Sequence, residues 1–116
     1  MPLPPKVYGN MLKERMTRFN VPVYLVNTGW SGGGVGVGKR MKLSITRALL
    51  KAAMTGEFRA AKFEADPIFG LSVPTSCPGV PGDVLQPRNT WADKSAYDAT
   101  AKKLNAMFEA EAKKYA

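Results

Sequence analysis

Between Gly29 and Arg47 the chain reads GWSGGGVGVGKRMKLSITR. Six of the eleven residues from Gly29 to Lys39 are glycine, and Arg40 follows Lys39. Glycine-rich turns ahead of a helix bind phosphates because the backbone can approach closely and aim its N–H groups at an anion. Gly33, Gly38 and Lys39 have the spacing of the phosphate-binding loop of nucleotide hydrolases. The position after that lysine should carry a hydroxyl that ligates Mg²⁺. Arg40 stands there, and a guanidinium cannot ligate a cation. A dinucleotide-binding fingerprint fails too, since no three glycines here have the Gly-x-Gly-x-x-Gly spacing.

Other chemistries are closed by composition. The 116 residues contain no histidine, so Cys-His and Ser-His-Asp catalysis and His-ligated metals are excluded within this chain. The single Cys77 cannot form an internal disulfide, fits a reducing compartment, and reads as a buried structural thiol. Seventeen Lys and Arg against nine Asp and Glu leave a net charge of +8, which suits an anionic partner or a solvated basic surface. No apolar run is long enough to span a membrane, and no signal peptide is visible.

The elements that must position this stretch follow from periodicity. Pro4 and Pro5 precede Tyr8, Met11, Leu12, Met16 and Phe19 at helical spacing, which predicts a helix from about Pro5 to Arg18 with one buried face, ended at Asn20. Val23 to Val26 are consecutively apolar, the pattern of a strand buried on both faces. The glycine loop comes next. Ser44 is the expected N-cap of a second helix whose apolar face is Ile45, Leu49, Ala52 and Ala53, and Gly56 should stop it. Two short strands are expected near 62–65 and 70–73, then an extended loop to Pro87. Ser95 with Asp98 resembles a capping box for a last helix, with a core stripe of Tyr97, Ala101, Leu104, Phe108 and Tyr115. The fold class is α/β: helix, buried strand, Gly-rich loop, helix, short strands, long loop, C-terminal helix. One two-faced strand with so few sheet partners implies part of a larger domain.

At VYLVNTGWSGGGVGVGKRM the sequence resembles the ATP-dependent phosphoenolpyruvate carboxykinases near their C-terminus. The likeness continues through SITRALLKAAMTGEF, VPTSCPGVP and LQPRNTWADKSAYDATAKKL, and PPKVYGNMLKERM fits the helix ahead of the strand. The resemblance implies that residues 1–116 are the C-terminal part of a mixed-sheet nucleotide-binding domain. It implies an enzyme that uses ATP and a divalent metal, Mg²⁺ or Mn²⁺, to convert oxaloacetate to phosphoenolpyruvate and CO₂ in cytoplasmic gluconeogenesis. The family's phosphate loop, metal ligands and substrate-binding residues lie upstream, so the implied partners are ATP and the remainder of the carboxykinase chain. This segment would be inactive alone and holds no catalytic residue.

What carries over is the nucleotide-contact stretch: Arg40 matches the arginine beside the nucleotide, Met41 the apolar residue after it, and Thr46 the threonine six positions on. Their chemistry suits those roles. Arginine can stack on a base and still reach an oxygen, methionine is an adaptable apolar wall, and a hydroxyl in a helix's first turn can face a ligand. Two departures stand out. Val35 replaces an aromatic common in the family, and Gln86 precedes Pro87-Arg88 where aspartate is common, leaving Arg88 without that partner charge. Arg88 and Trp91 read as scaffold residues that tie down the long loop.

The alternative is a stand-alone basic nucleic-acid-binding module using Lys39, Arg40, Lys42, Arg47 and Lys51. The aromatics oppose it, because they fall in helical core stripes and form no stacking platform, and no helix-turn-helix or zinc pattern is present. A purely structural fragment that binds no nucleotide is the third reading.

Overall fold

The computed structural model describes residues 2–115. Helix α1 spans Pro5–Phe19 and ends where Asn20 turns left-handed (φ 48°). A two-residue ribbon, β1 (Trp30–Ser31) and β2 (Lys39–Arg40), brackets the glycine loop. Helix α2 (Leu43–Thr55) follows and stops at Gly56, whose φ of 82° is open to glycine at little cost. A 3-10 turn, Glu57–Arg59, leads into a second antiparallel ribbon, β3 (Phe63–Ala65) with β4 (Ser72–Pro74). Two short helices, α3 (Gly82–Leu85) and α4 (Pro87–Thr90), precede the long α5 (Lys94–Lys113).

The core lies between α2 and the loop that follows β4. Ala52, Phe58, Cys77 and Leu85 are buried there, with Tyr24, Leu49, Ala53, Ala61, Phe63 and Val80 packed around them. Phe58 stacks at its edges with Tyr24 (ring centroids 5.4 Å apart) and Phe63 (6.2 Å). Burial, with a smaller contribution from the charge of Glu57, raises the Cys77 thiol above its ordinary value, which suits an inert packing group.

Several expectations are corrected. Val23 to Val26 form no strand, because both ribbons pair internally and offer this segment no ladder. Tyr24 alone turns into the core, while Leu25 is 86% exposed. No residue of α1 is fully buried: Tyr8 and Met16 of its apolar stripe are half-buried, while Met11, Leu12 and Phe19 are exposed. Lys42, not Ser44, is the N-cap of α2, and it provides no side-chain bond. Asp93, not Ser95, caps α5, accepting from the Ser95 and Ala96 N–H groups at 2.8 and 3.0 Å. The chain after β4 is less extended than expected, since it holds α3 and α4. The α5 stripe is buried only at Ala101: Leu104 is 40% exposed, and Phe108, though 57% exposed, meets the Phe69 ring edge-on at 6.4 Å.

The exposed surface totals 9032 Å², against about 6,200 Å² for a compact monomer of this mass. The radius of gyration, 16.1 Å, exceeds the roughly 13 Å of a compact domain of this length. Apolar side chains at Phe19, Val21, Val23, Leu25, Leu43, Met54 and Phe108 are among those exposed.

Candidate functional site

The glycine loop closes on its own backbone. Gly34 O accepts from the N–H groups of Val37 (3.2 Å) and Gly38 (2.9 Å). Gly38 needs its missing side chain, since a Cβ there would sit 2.3 Å from Gly33 O. At the base of the loop Met41 N–H donates to Gly29 O (2.9 Å), and Gly29 N–H donates to the Asn27 side chain (3.2 Å). Gly32 N–H donates to the Thr90 hydroxyl (3.0 Å). The N–H groups of Gly29, Gly32, Val37, Gly38 and Met41 are therefore already taken. Lys39 and Arg40 also stand in a strand, and α2 begins only at Leu43. In a phosphate-binding loop the lysine opens the helix whose N–H groups hold the anion. That junction differs here.

Arg40 pairs with Trp30 across the ribbon, and its side chain is exposed. It belongs to neither of the ion pairs found among the described residues, Arg88–Asp98 and Lys114–Glu111. Met41 is half-buried directly after it. Thr46 is also half-buried and falls at the fourth position of α2, and its N–H already donates to Lys42 O (3.2 Å). A ligand could reach its hydroxyl but not its N–H. The three residues thus follow one another along the ribbon's exit into the first turn of α2. Two shallow hollows lie elsewhere, one along α1 at Asn10, Lys13, Glu14, Thr17 and Arg18, the other at Asn20, Val21, Pro22 and Arg59. Neither takes in Arg40, Met41 or Thr46. Among the described residues no three His, Cys, Asp or Glu side chains gather into a set that could hold a metal ion. No described helix is long and apolar enough to cross a membrane.

Behind the loop stands a polar frame that the sequence reading missed in part. Arg88 grips Asp98 with both arms of its fork, Nε to Oδ1 at 2.8 Å and an Nη to Oδ2 at 2.9 Å. Asp98 thus supplies the partner that Gln86 cannot. These hydrogen bonds hold the Asp98 carboxyl below its ordinary value and push the guanidinium of Arg88 higher. Lys94 Nζ donates to the carbonyls of Arg88, Asn89 and Trp91, each at 3.0 Å, a cation on the open end of α4. Trp91 packs edge-on against Tyr97, ring centroids 5.6 Å apart. Burial, then the negative charges of Asp66 and Asp98, raise the Tyr97 phenol above its ordinary value. Arg88 and Trp91 do anchor the loop, as their types suggested. Thr90 was not singled out; its only signal is a hydroxyl that closes a turn three residues after Pro87.

Residues 1–83 match the protein family described as phosphoenolpyruvate carboxykinase. The chain is 54% identical over 115 residues to the phosphoenolpyruvate carboxykinase (ATP) of Pelobacter propionicus, covering 99% of this chain and 22% of that protein. It is 58% identical over 108 residues to that of Geotalea uraniireducens, covering 93% and 20%. With the protein of the same name from Caldanaerobacter subterraneus it shares 52% over 115 residues, covering 99% and 22%. The chain thus spans about a fifth of the length of the curated relatives it matches.

Proposed function

The chain belongs to the phosphoenolpyruvate carboxykinase family, and we propose from that membership that it is the segment of an ATP-dependent carboxykinase that supplies one side of the ATP site. The whole enzyme converts oxaloacetate and ATP to phosphoenolpyruvate, CO₂ and ADP, in cytoplasmic gluconeogenesis. The observation that carries the assignment of the site is the exposed Arg40 guanidinium, outside both ion pairs, at the ribbon's exit with Met41 and Thr46 next along the chain. Arg40 stacks on the base or reaches a ribose or phosphate oxygen, Met41 walls the purine, and the Thr46 hydroxyl gives one hydrogen bond. The loop from Gly32 to Gly38 is not the triphosphate cradle in this reading: Arg40 stands where the metal-binding hydroxyl should be, Lys39 lies in a strand and not at the start of α2, and the N–H groups of Gly32, Val37 and Gly38 are already bonded.

The divalent metal that assists phosphoryl transfer is held by residues outside this chain. The remainder of the carboxykinase covers the apolar surface at Phe19, Val23, Leu25 and Met54. That cover is favoured by a surface excess on the scale of permanent interfaces. The 116-residue chain alone then has no turnover, and oxaloacetate-dependent consumption of ATP by it would overturn this.

Contacts far from the transferred phosphoryl group act mainly as uniform binding, so their loss raises KM more than it lowers kcat. In a full-length carboxykinase carrying this segment, Arg40→Ala raises KM for ATP about tenfold, the scale of one charged contact near ~1.4 kcal/mol. Arg40→Lys recovers little, because stacking needs the planar fork. Lys39→Ala leaves kcat within about threefold. A collapse of kcat in Lys39→Ala with KM unchanged would put the triphosphate on the glycine loop instead, since losing a contact on the transferring group costs about a hundredfold. Binding that falls steeply with salt and shows no preference for ATP over other polyanions would favour the nucleic-acid reading of Lys39, Arg40, Lys42, Arg47 and Lys51, all of which are exposed.

A further inference from the structure

We propose that Thr90 is a positioning residue for the nucleotide contact of Arg40, acting through the backbone of Gly32; this rests on the reading of Arg40 given above. The Thr90 hydroxyl is used in both directions. It accepts the Gly32 N–H at 3.0 Å and donates to Pro87 O at 2.7 Å, so a bond between residues 58 apart is fixed by a hydroxyl whose own rotation is fixed. Gly32 has a φ of 84°, and a Cβ there would meet Thr90 O at 3.2 Å. The loop and α4 therefore approach to a distance that suits glycine.

Gly32 is the residue directly after β1. The register Ser31 to Lys39 and Trp30 to Arg40, closed by Met41 N–H on Gly29 O (2.9 Å), passes its position across the ribbon to Arg40. The other end of the connection is anchored as well. Arg88 and Lys94 fasten α4 to the start of α5 through Asp98 and the carbonyls of Arg88, Asn89 and Trp91. A ribbon of two residues per strand has little rigidity of its own. An exposed guanidinium at its end takes its direction from whatever holds the ribbon, and Thr90 holds it. Pre-aiming Arg40 spares the nucleotide the cost of ordering it.

The experiment is steady-state kinetics on a full-length carboxykinase carrying this segment, with Thr90→Val, Thr90→Ser and Arg40→Ala compared. Thr90→Val removes both bonds while keeping the shape. It raises KM for ATP about threefold to tenfold, the range of one net hydrogen bond, with kcat within about twofold and KM for oxaloacetate unchanged. Thr90→Ser restores the KM for ATP. If Arg40→Ala raises that KM and Thr90→Val does not, the positioning role is overturned and the nucleotide reading stands. If neither variant moves it, the nucleotide reading itself has failed. If Thr90→Val does not fold, Gly32→Ala strains the same junction with the hydroxyl kept. A raised KM for ATP in that variant supports the role, and an unchanged one overturns it.

Discussion

Leu85 and Leu25 are the same side chain in two regions with opposite fates. Leu85 is 7% exposed in the core with Ala52, Phe58 and Cys77, whereas Leu25 is 86% exposed on the far side of Tyr24. Leu25 lies in the apolar run Val23 to Val26, whereas Leu85 lies between Asp83 and Gln86 with only Val84 apolar beside it. Burial therefore follows from what stands opposite, not from the residue. The loop after β4 folds back across α2 and meets Leu85, while the segment after α1 has Tyr24 on the core and no sheet beside it. The packed region finds its partners among the described residues, and the open one does not.

The sharpest way to break that comparison is to truncate both regions. Phe58→Ala in the 116-residue chain costs about 3–5 kcal/mol and Leu85→Ala about 2–5 kcal/mol, as cavity-forming core truncations do. Leu25→Ala and Leu104→Ala stay within about 0.5 kcal/mol in the same chain, the range of surface positions. In a full-length carboxykinase carrying this segment, Leu25→Ala rises toward the cost of a core truncation. Urea denaturation of both chains measures all of these. Equal costs for Leu85→Ala and Leu25→Ala in the short chain would erase the distinction between the regions. A Leu25→Ala cost that stays small in the long chain would leave the open face uncovered there too.

The same contrast decides how much was readable beforehand. Local punctuation was legible: Pro5, Asn20 and Gly56 bound their helices because the conformations they favour are set by their own covalent structure. The strands β3 and β4 were nearly legible: β3 starts one residue later than expected, and β4 starts two residues later and ends one later. The fate of Val23 to Val26 was not, since a two-sided apolar run specifies a strand only when neighbours exist to pair with it. Ribbon β1–β2 was missed because two residues per strand carry no period. The α5 cap went to Asp93 over Ser95, a competition between two good N-cap residues that spacing alone does not resolve. Arg40, Met41 and Thr46 were named through resemblance. By physics alone Arg40 is a surface arginine, and no pattern announces that Thr90 reaches Gly32 from 58 residues away.

The smallest expected effect lies at the Arg88–Asp98 pair that fastens α4 to α5. The pair is bidentate but open to solvent, its side chains 51% and 35% exposed, so it adds far less than Phe58 or Leu85. Its sign is nonetheless fixed. The Arg88 hydrogen bonds place the Asp98 carboxyl below its ordinary value in the folded chain, while the unfolded chain titrates near ~3.9. The contribution is therefore complete above that unfolded value and is lost as the pH falls through the folded one. Arg88 keeps its charge throughout this range, so Asp98 alone sets the window. Asp98→Asn keeps the shape and one acceptor but removes the charge. Denaturation midpoints at low salt show the parent chain ahead of Asp98→Asn at pH 7, with the gap smaller at a pH below the unfolded value. A gap of the same size at both pH values would mean that the carboxylate charge does not hold α4. The frame behind Thr90 would then rest on Lys94 and on the Trp91–Tyr97 contact instead.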